Sequence, residues 1–310
     1  MTGPLRIGTR ASRLARTQSE LVAQALRDAL GREVVLVEVA TEGDLSAAPL
    51  ASLGGTGVFV SALRDALLRG DVDLAVHSLK DLPTTPHPQI ALAAVPLRED
   101  PRDVVIARDG LTIGELPVGA RIGTGSPRRA AQLRALGLGF DVVGIRGNVD
   151  TRIRKVSSGV VDAVVLARAG IARLGRLDEV TEVLDPIQML PAPGQGALAV
   201  ECRVEDIDLA HQVRAALDDE RTRAAVTAER AVLATLEAGC SAPVGALAEI
   251  AEGDDGDELW LRAVALSDDG VVAVRRSATG SPEDAEGVGR RLAEEMLSEG
   301  ADTLIEEQAS

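Results

Sequence analysis

The chain has 310 residues, a formal net charge of −15 and 45% hydrophobic residues, yet Phe59, Phe140 and Trp260 are its only aromatics. That length and apolar content predict two or three domains with cores of Ala, Val, Leu and Ile. No run of about 18 apolar residues exists to span a membrane, and an acidic chain with so few stacking rings is a poor nucleic-acid binder.

The opening MTGPLRIGTR has no apolar segment of a secretory signal, so a cytoplasmic protein is expected. Leu5 to Gly8 reads as a strand. A helix follows over roughly 13–30, with Leu14, Leu21, Val22, Ala25 and Leu26 at helical spacing, and Glu33 to Ala40 alternates as a strand. Arg10 and Ser12 thus stand at a strand–helix junction. Residues 41–57 are small, Gly- and Pro-containing and aperiodic, which fits either a lid or a plain surface loop. A helix over 58–68 and a buried strand over 72–76 lead into His77-Ser78-Leu79-Lys80-Asp81-Leu82-Pro83. Adjacent opposite charges such as Lys80 and Asp81 usually form a surface pair worth little. Their place at a strand's carboxyl end favours a functional reading. His77 reads as structural, and His87 and His211 give it no metal-ligand spacing, so no metal is expected. Strands are predicted over 90–96 and 103–108.

Residues 121–155 hold eight cationic and two acidic residues, a local excess of +6 in an acidic chain. Gly123-Thr124-Gly125-Ser126-Pro127 is a tight turn into a helix, with Ser126 as cap and Pro127 at the first helical position. Arg128 and Arg129 then fall in the first turn, where cations oppose the helix dipole. Their placement makes sense if an anion sits there, held by free N–H groups and guanidinium forks. The pattern recurs: Val142 to Ile145 is strand-like, and Arg146-Gly147-Asn148 turns into a helix carrying Arg152. Two strand–turn–helix units thus aim arginines at the carboxyl edge of a sheet. The competing reading is a solvated basic helix face, which rarely sets arginines at glycine turns.

A buried strand over 160–166, a short helix over 167–174 with Arg173, and a strand over 180–184 follow. Pro191 to Gly196 is a rigid crossover into a strand over 197–202. Helices at 205–217 and 219–238 end in the glycine-flanked loop of Gly239-Cys240-Ser241-Ala242-Pro243. Strands near 244–251, 258–267 and 271–278 and a helix near 282–298 make an α+β tail. Residues 218–310 carry 22 acidic and 8 basic residues against 26 and 25 in the first 217, so the tail reads as a separate domain with a solvated acidic exterior. The two cysteines, Cys202 and Cys240, are expected as free thiols.

The segments IGTRASRLARTQ (7–18), VHSLKDLP (76–83), GTGSPRRAAQL (123–133), IRGNVDTRIRK (145–155), PAPGQGALAVECR (191–203) and AERAVLATLEAGCSAPVGA (228–246) together resemble the porphobilinogen deaminase (hydroxymethylbilane synthase) family, in the family's order. The resemblance implies two periplasmic-binding-protein-like α/β domains plus a smaller C-terminal α+β domain. Their expected bounds are 1–97 with 198–217, then 98–197, then 218–310. It implies stepwise joining of four porphobilinogen molecules onto a dipyrromethane primer, with release of ammonia, and places the covalent thioether of that cofactor on Cys240. Cys202 is left structural.

By motif position the resemblance assigns ligand carboxylates to Arg10, Arg128, Arg129, Arg146, Arg152 and Arg173. Neutral hydrogen bonds go to Ser12, Ser78, Thr124 and Ser126, and cofactor carboxylates to Lys80. Asp81 would be the catalytic carboxylate that stabilises cationic pyrrole and handles the proton. Thr56 departs from the family's lid lysine, while Phe59 remains as an aromatic to stack on a pyrrole. The other class considered is a non-catalytic solute-binding or ligand-sensing protein, which would leave the acidic tail and the Cys240 loop unexplained. No nucleic-acid or membrane partner is expected, and the acidic exterior favours a monomer.

Overall fold

The computed structural model describes residues 3–39, 57–239, 242–253 and 256–306. The chain forms two compact units, Met1–Glu99 with Ala197–Arg223, and Asp100–Gly196 with Ala224–Ser310. Elements are numbered along the chain.

In the first unit, β1 (Leu5–Thr9), β2 (Val34–Glu38), β3 (Leu74–Ser78), β4 (Ile90–Ala94) and β10 (Leu198–Arg203) form a sheet of order β2-β1-β3-β10-β4. β1 runs parallel to β2 and β3, and β10 is antiparallel to β3 and β4. Helix α1 (Arg13–Leu30) starts where the Ser12 side chain accepts the Ala15 N–H and stops at Gly31 in the left-handed region. Its buried face is Gln18, Ser19, Val22, Ala23 and Leu26, and Leu21 is 52% exposed. The apolar spacing had pointed Leu21 inward. The helix instead turns so that Gln18 reaches Ser78. Helix α2 (Gly57–Leu68) packs Leu63, Ala66 and Leu67 on Val72, Ala75 and Ile90.

The second unit repeats the plan. Strands β5 (Asp103–Ala107), β6 (Arg121–Thr124), β7 (Asp141–Gly144), β8 (Ala163–Ala167) and β9 (Glu182–Val183) take the order β7-β6-β8-β5-β9. β6 is parallel to β7 and β8, and β5 is antiparallel to β8 and β9. In each sheet the antiparallel strand is the one entered when the chain passes from one unit to the other. β9 has two residues where five were expected, because Leu177–Glu179 is a 3₁₀ turn and leaves little length for pairing.

The third sheet, β11 (Val244–Gly253), β12 (Gly256–Leu266) and β13 (Ala273–Gly280), is antiparallel. One face buries Leu259, Leu261 and Ala263 with Val232 and Leu236 near α7 (Glu220–Thr235), and with Val288, Leu292 and Met296 of α8 (Ala285–Ser298). A smaller patch of Ala131, Leu190, Leu247, Val264 and Leu266 joins this sheet to α3 (Pro127–Ala135). The expected α/β class with a smaller C-terminal sheet domain is present. Among the described residues no helix is long and apolar enough to cross a membrane.

Candidate functional site

In the first unit, Ile7 lies opposite Leu74 and Gly8 opposite Ala75, so the residues after Thr9 and Ser78 emerge at one sheet edge. Arg10, Ser12, Ser78, Lys80 and Asp81 therefore share that edge. Both serine hydroxyls have local partners: Ser12 Oγ accepts the Ala15 N–H at 3.3 Å, and Gln18 Nε2 donates to Ser78 Oγ at 3.0 Å. Buried Leu79 anchors the 3₁₀ turn Leu79–Asp81. Its N–H donates to the Ala197 carbonyl at 3.0 Å, and the Leu82 N–H closes the turn on the Leu79 carbonyl at 3.1 Å. Lys80 and Asp81 are left half-buried at the edge. Among the described residues the Asp81 carboxylate takes no hydrogen bond or ion pair, so the surface-pair reading with Lys80 is not realised.

Behind this edge lies a carboxylate that sequence reasoning missed. Glu201, buried on β10, receives Arg64 Nε at 3.0 Å and Nη2 at 2.6 Å, and His77 Nε2 stands 3.2 Å from its Oε2. Burial opposes ionisation, but His77 and Arg64 outweigh it and bring the Glu201 pKa down to about 2.

In the second unit the carboxyl ends of β6, β7 and β8 again share an edge. The turn after β6 is closed by buried Thr124, whose Oγ1 accepts the Ser126 N–H at 3.2 Å. Ser126 holds the N-cap position of α3, but its side chain makes no capping hydrogen bond, contrary to expectation. Thr124 already closes the turn, and the first-turn N–H groups of α3 are left without that acceptor. Gly125 is required: a Cβ there would stand 2.7 Å from the Ile145 carbonyl oxygen. After β7, Arg146 is exposed and Asn148 caps α4 (Val149–Ser157) by accepting the Thr151 N–H at 2.9 Å. Arg152 is half-buried, with its Nε on the Gly147 carbonyl at 2.8 Å. Burial, and then the nearby Arg129 and Arg146, push its pKa down. No carboxylate among the described residues pairs with Arg152. Arg173, at the end of α5 (Arg168–Arg173), donates to the Gly196 carbonyl at 2.6 Å.

Arg128 and Arg129 differ from expectation. Their forks were expected to face an anion in a cleft; instead they are 3% and 5% exposed and close on Asp103, a fully buried residue at the start of β5. Arg128 Nη2 is 2.8 Å from Asp103 Oδ2, and Arg129 Nε and Nη2 are 3.1 and 2.8 Å from Oδ1. Arg128 Nη1 and Arg129 Nη1 are spent on the Leu190 and Val165 carbonyls. Burial alone would raise the Asp103 pKa, but the two guanidinium groups hold it far below the carboxylate range. The physical reason is that two buried cations need an internal counter-charge. Asp103 begins a strand behind a charged turn, where sequence reading takes it for a surface residue. Buried Gln195 completes the group, donating from Nε2 to Asp103 Oδ1 at 2.8 Å and to the Pro101 carbonyl at 2.6 Å.

Cys240 and Thr56 lie outside the described residues, as does the Phe59 side chain. What remains at the second sheet edge is Arg146 and Arg152, with Arg128 and Arg129 fixed on Asp103 behind them, an arrangement that suits a ligand carrying several carboxylates or phosphates. The first edge offers Asp81, a carboxylate with no partner among the described residues, which suits a ligand that becomes cationic.

A family model described as "Porphobilinogen deaminase, dipyromethane cofactor binding domain" matches residues 5–211, and one described as "Porphobilinogen deaminase, C-terminal domain" matches 223–298. Curated relatives named porphobilinogen deaminase include one from Nocardia farcinica, 58% identical over 99% of this chain and 89% of its own. Another, from Mycobacterium tuberculosis H37Rv, is 60% identical over 97% and 98%. Among solved structures, the methionine-binding protein MetQ aligns over 68% of this chain and 89% of its own, at 12% identity and a TM-score of 0.45.

Proposed function

The chain belongs to the porphobilinogen deaminase family, and on that footing we propose how its own residues carry the family's reaction. It is a hydroxymethylbilane synthase, a transferase of tetrapyrrole biosynthesis that works on porphobilinogen with a dipyrromethane cofactor. The cofactor supplies the pyrrole carbon to which the first unit is joined. The donor set fits such a group: acetate and propionate arms need several fixed cations, and Arg152, near Arg129 and Arg146, has only a carbonyl as partner among the described residues. The half-buried Arg152 guanidinium, without a carboxylate partner among the described residues, is the observation that carries the reading.

Arg146, Arg152, Arg173, Arg10 and Lys80 take ligand carboxylates, with Ser12, Ser78, Thr124 and Ser126 adding neutral hydrogen bonds. Arg128 and Arg129 contribute charge from behind, fixed on Asp103. Asp81 accepts a pyrrole N–H, stabilises the positive charge that develops as ammonia leaves, and takes up and returns the proton. Its half-buried place on the Leu79–Asp81 turn, with no partner for its carboxylate among the described residues, supports that role. Phe59 offers a stacking face, and Thr56 brings no charge to the segment before it. The same proposal divides the chain into domains at 1–97 with 198–217, 98–197 and 218–310. It holds the protein to be a cytoplasmic monomer without nucleic-acid or membrane partners, for which its net charge of −15 is the support.

Cys240 is the attachment point, through a thioether at Sγ. The described thiol, Cys202, is buried on β10 with its pKa pushed up to about 11, first by burial, which suits an inert residue. Intact mass tests the assignment. Wild type is expected to exceed its sequence mass by two porphobilinogen units less two ammonias, Cys240→Ser to lose both adduct and turnover, and Cys202→Ser to keep both. An unmodified, fully active wild type would refute it.

A further inference from the structure

We propose that Glu229 and Gln195 are positioning residues for the condensation, two links of a buried hydrogen-bond chain tying α7 and β11 to the arginine helix α3. The proposal rests on the assignment of Cys240 above. Glu229, fully buried on α7, accepts the Gly194 N–H at Oε2 (2.6 Å) and the Ala248 N–H at Oε1 (2.8 Å). One bond along the backbone from Gly194, Gln195 holds Asp103, and Asp103 holds Arg128 and Arg129 on α3. In sequence Cys240 falls between the end of α7 at Thr235 and the start of β11 at Val244, and Glu229 grips both elements.

The third sheet meets α3 a second time. Gly270, at φ +73°, lies so close that a Cβ would stand 2.4 Å from the Ala131 carbonyl oxygen, and Arg134 Nη1 donates to the Asp268 carbonyl at 2.5 Å. The elements on either side of the primer's cysteine and the helix bearing two arginines are therefore held together at both ends. Condensation needs that fixity, because a displacement of about 1 Å between reacting groups costs on the order of a hundredfold in rate. A carboxylate suits the Glu229 position because it only accepts, and both of its oxygens face N–H donors. The nearly isosteric Gln would turn an NH₂ toward one of them and leave a buried donor unpaired.

The test compares holo-proteins with porphobilinogen as substrate. Glu229→Gln and Gln195→Ala are expected to lower kcat on the order of 10- to 100-fold with KM within about twofold of wild type. The double variant should lose about as much as the worse single one, since both break one chain. Amide exchange in Glu229→Gln should rise in α3 as well as at 244–248. Val288→Ala, a cavity in the same core away from the chain, serves as control and should lower stability while leaving kcat and α3 exchange unchanged. Equal kcat in Glu229→Gln and the control, or losses that multiply in the double variant, would overturn the proposal. If Glu229→Gln fails to fold, Gln195→Ala reads the chain from its other link, with raised exchange at 244–248 expected and wild-type exchange there fatal to the idea. A wild type without adduct mass on Cys240 would mark failure of the underlying reading instead, before any variant is made.

Discussion

The two five-stranded sheets share one strand order and one pattern of directions, yet only the first carries a carboxylate among the cations of its carboxyl edge. The first presents Asp81, without a partner among the described residues, beside Arg10 and Lys80; the second presents Arg146 and Arg152. Behind each edge a buried carboxylate of the antiparallel strand, Glu201 or Asp103, is matched to cations from neighbouring elements. Topology fixes where a ligand meets the sheet. The side chains at the turn fix the sign of charge it meets, and the buried pairs keep those turns in place.

The comparison breaks most severely at Asp103. Asp103→Asn leaves Arg128 and Arg129 buried without an anion, so unfolding in denaturant should show a loss of about 3–5 kcal/mol. Arg128→Leu should also cost stability, because it removes one of the two buried cations on Asp103. A change below about 1 kcal/mol for Asp103→Asn would mean that water or another anion reaches these guanidinium groups.

Glu201 sharpens the comparison from the other sheet. Its folded pKa of about 2 lies below the ordinary 4.5, so its stabilising contribution is complete above about pH 4.5 and is lost as pH falls toward 2. About 3 kcal/mol of the wild-type acid limb should come from this group. Stability measured against pH should show a flatter limb for Glu201→Gln, already lower at neutral pH; identical limbs would remove Glu201 from the acid response.

At the exposed edges the effects move from stability to rate. Asp81→Asn should cut single-turnover ammonia release at least about a hundredfold. Its thermal unfolding should shift by less than about 1 kcal/mol, because no protein partner is lost. Asp81→Glu should retain more activity than Asn. Near-normal release by the Asn variant would leave the arginine edge without an identified catalyst.

Much of this was legible in the sequence. The strand–turn–helix units around Ser12, Gly125 and Gly147 could be read because caps and glycines act locally. That Arg146 and Arg152 follow the β7 turn could be read because Gly147 and the Asn148 cap set that unit locally. The pairing of Arg128 and Arg129 with Asp103 was not legible, since the partners are 25 and 26 residues apart and only strand order brings them together. Glu201 and Glu229 were hidden for the same reason: a carboxylate in an apolar strand or a helix reads as a solvated residue until its long-range donors are known. Leu21 shows the reverse error, where an apolar spacing gave way to the polar contact of Gln18 with Ser78.

Arg152 carries the smallest and most discriminating expectation. Among the described residues its one hydrogen-bond partner is the Gly147 carbonyl, and burial and then two like-charged neighbours oppose its ionisation. Removing its charge therefore relieves repulsion while losing a single half-exposed hydrogen bond, and Arg152→Gln should change the stability of the ligand-free protein by less than about 1 kcal/mol, in either direction. Binding should suffer more, because a charge-assisted fork to a carboxylate is worth about 1.5–3 kcal/mol. A rise in KM for porphobilinogen or a loss of retained cofactor of about tenfold is expected. Arg152→Lys, which keeps the charge but not the planar fork, should fall between wild type and Gln. The contrast with Asp103→Asn is the test: one substitution should unfold without first touching ligand, the other should lose ligand without unfolding. If Arg152→Gln instead lowers the unfolding midpoint as Asp103→Asn does and leaves KM alone, Arg152 belongs with the buried pairs and the second edge has lost its clearest ligand-facing cation.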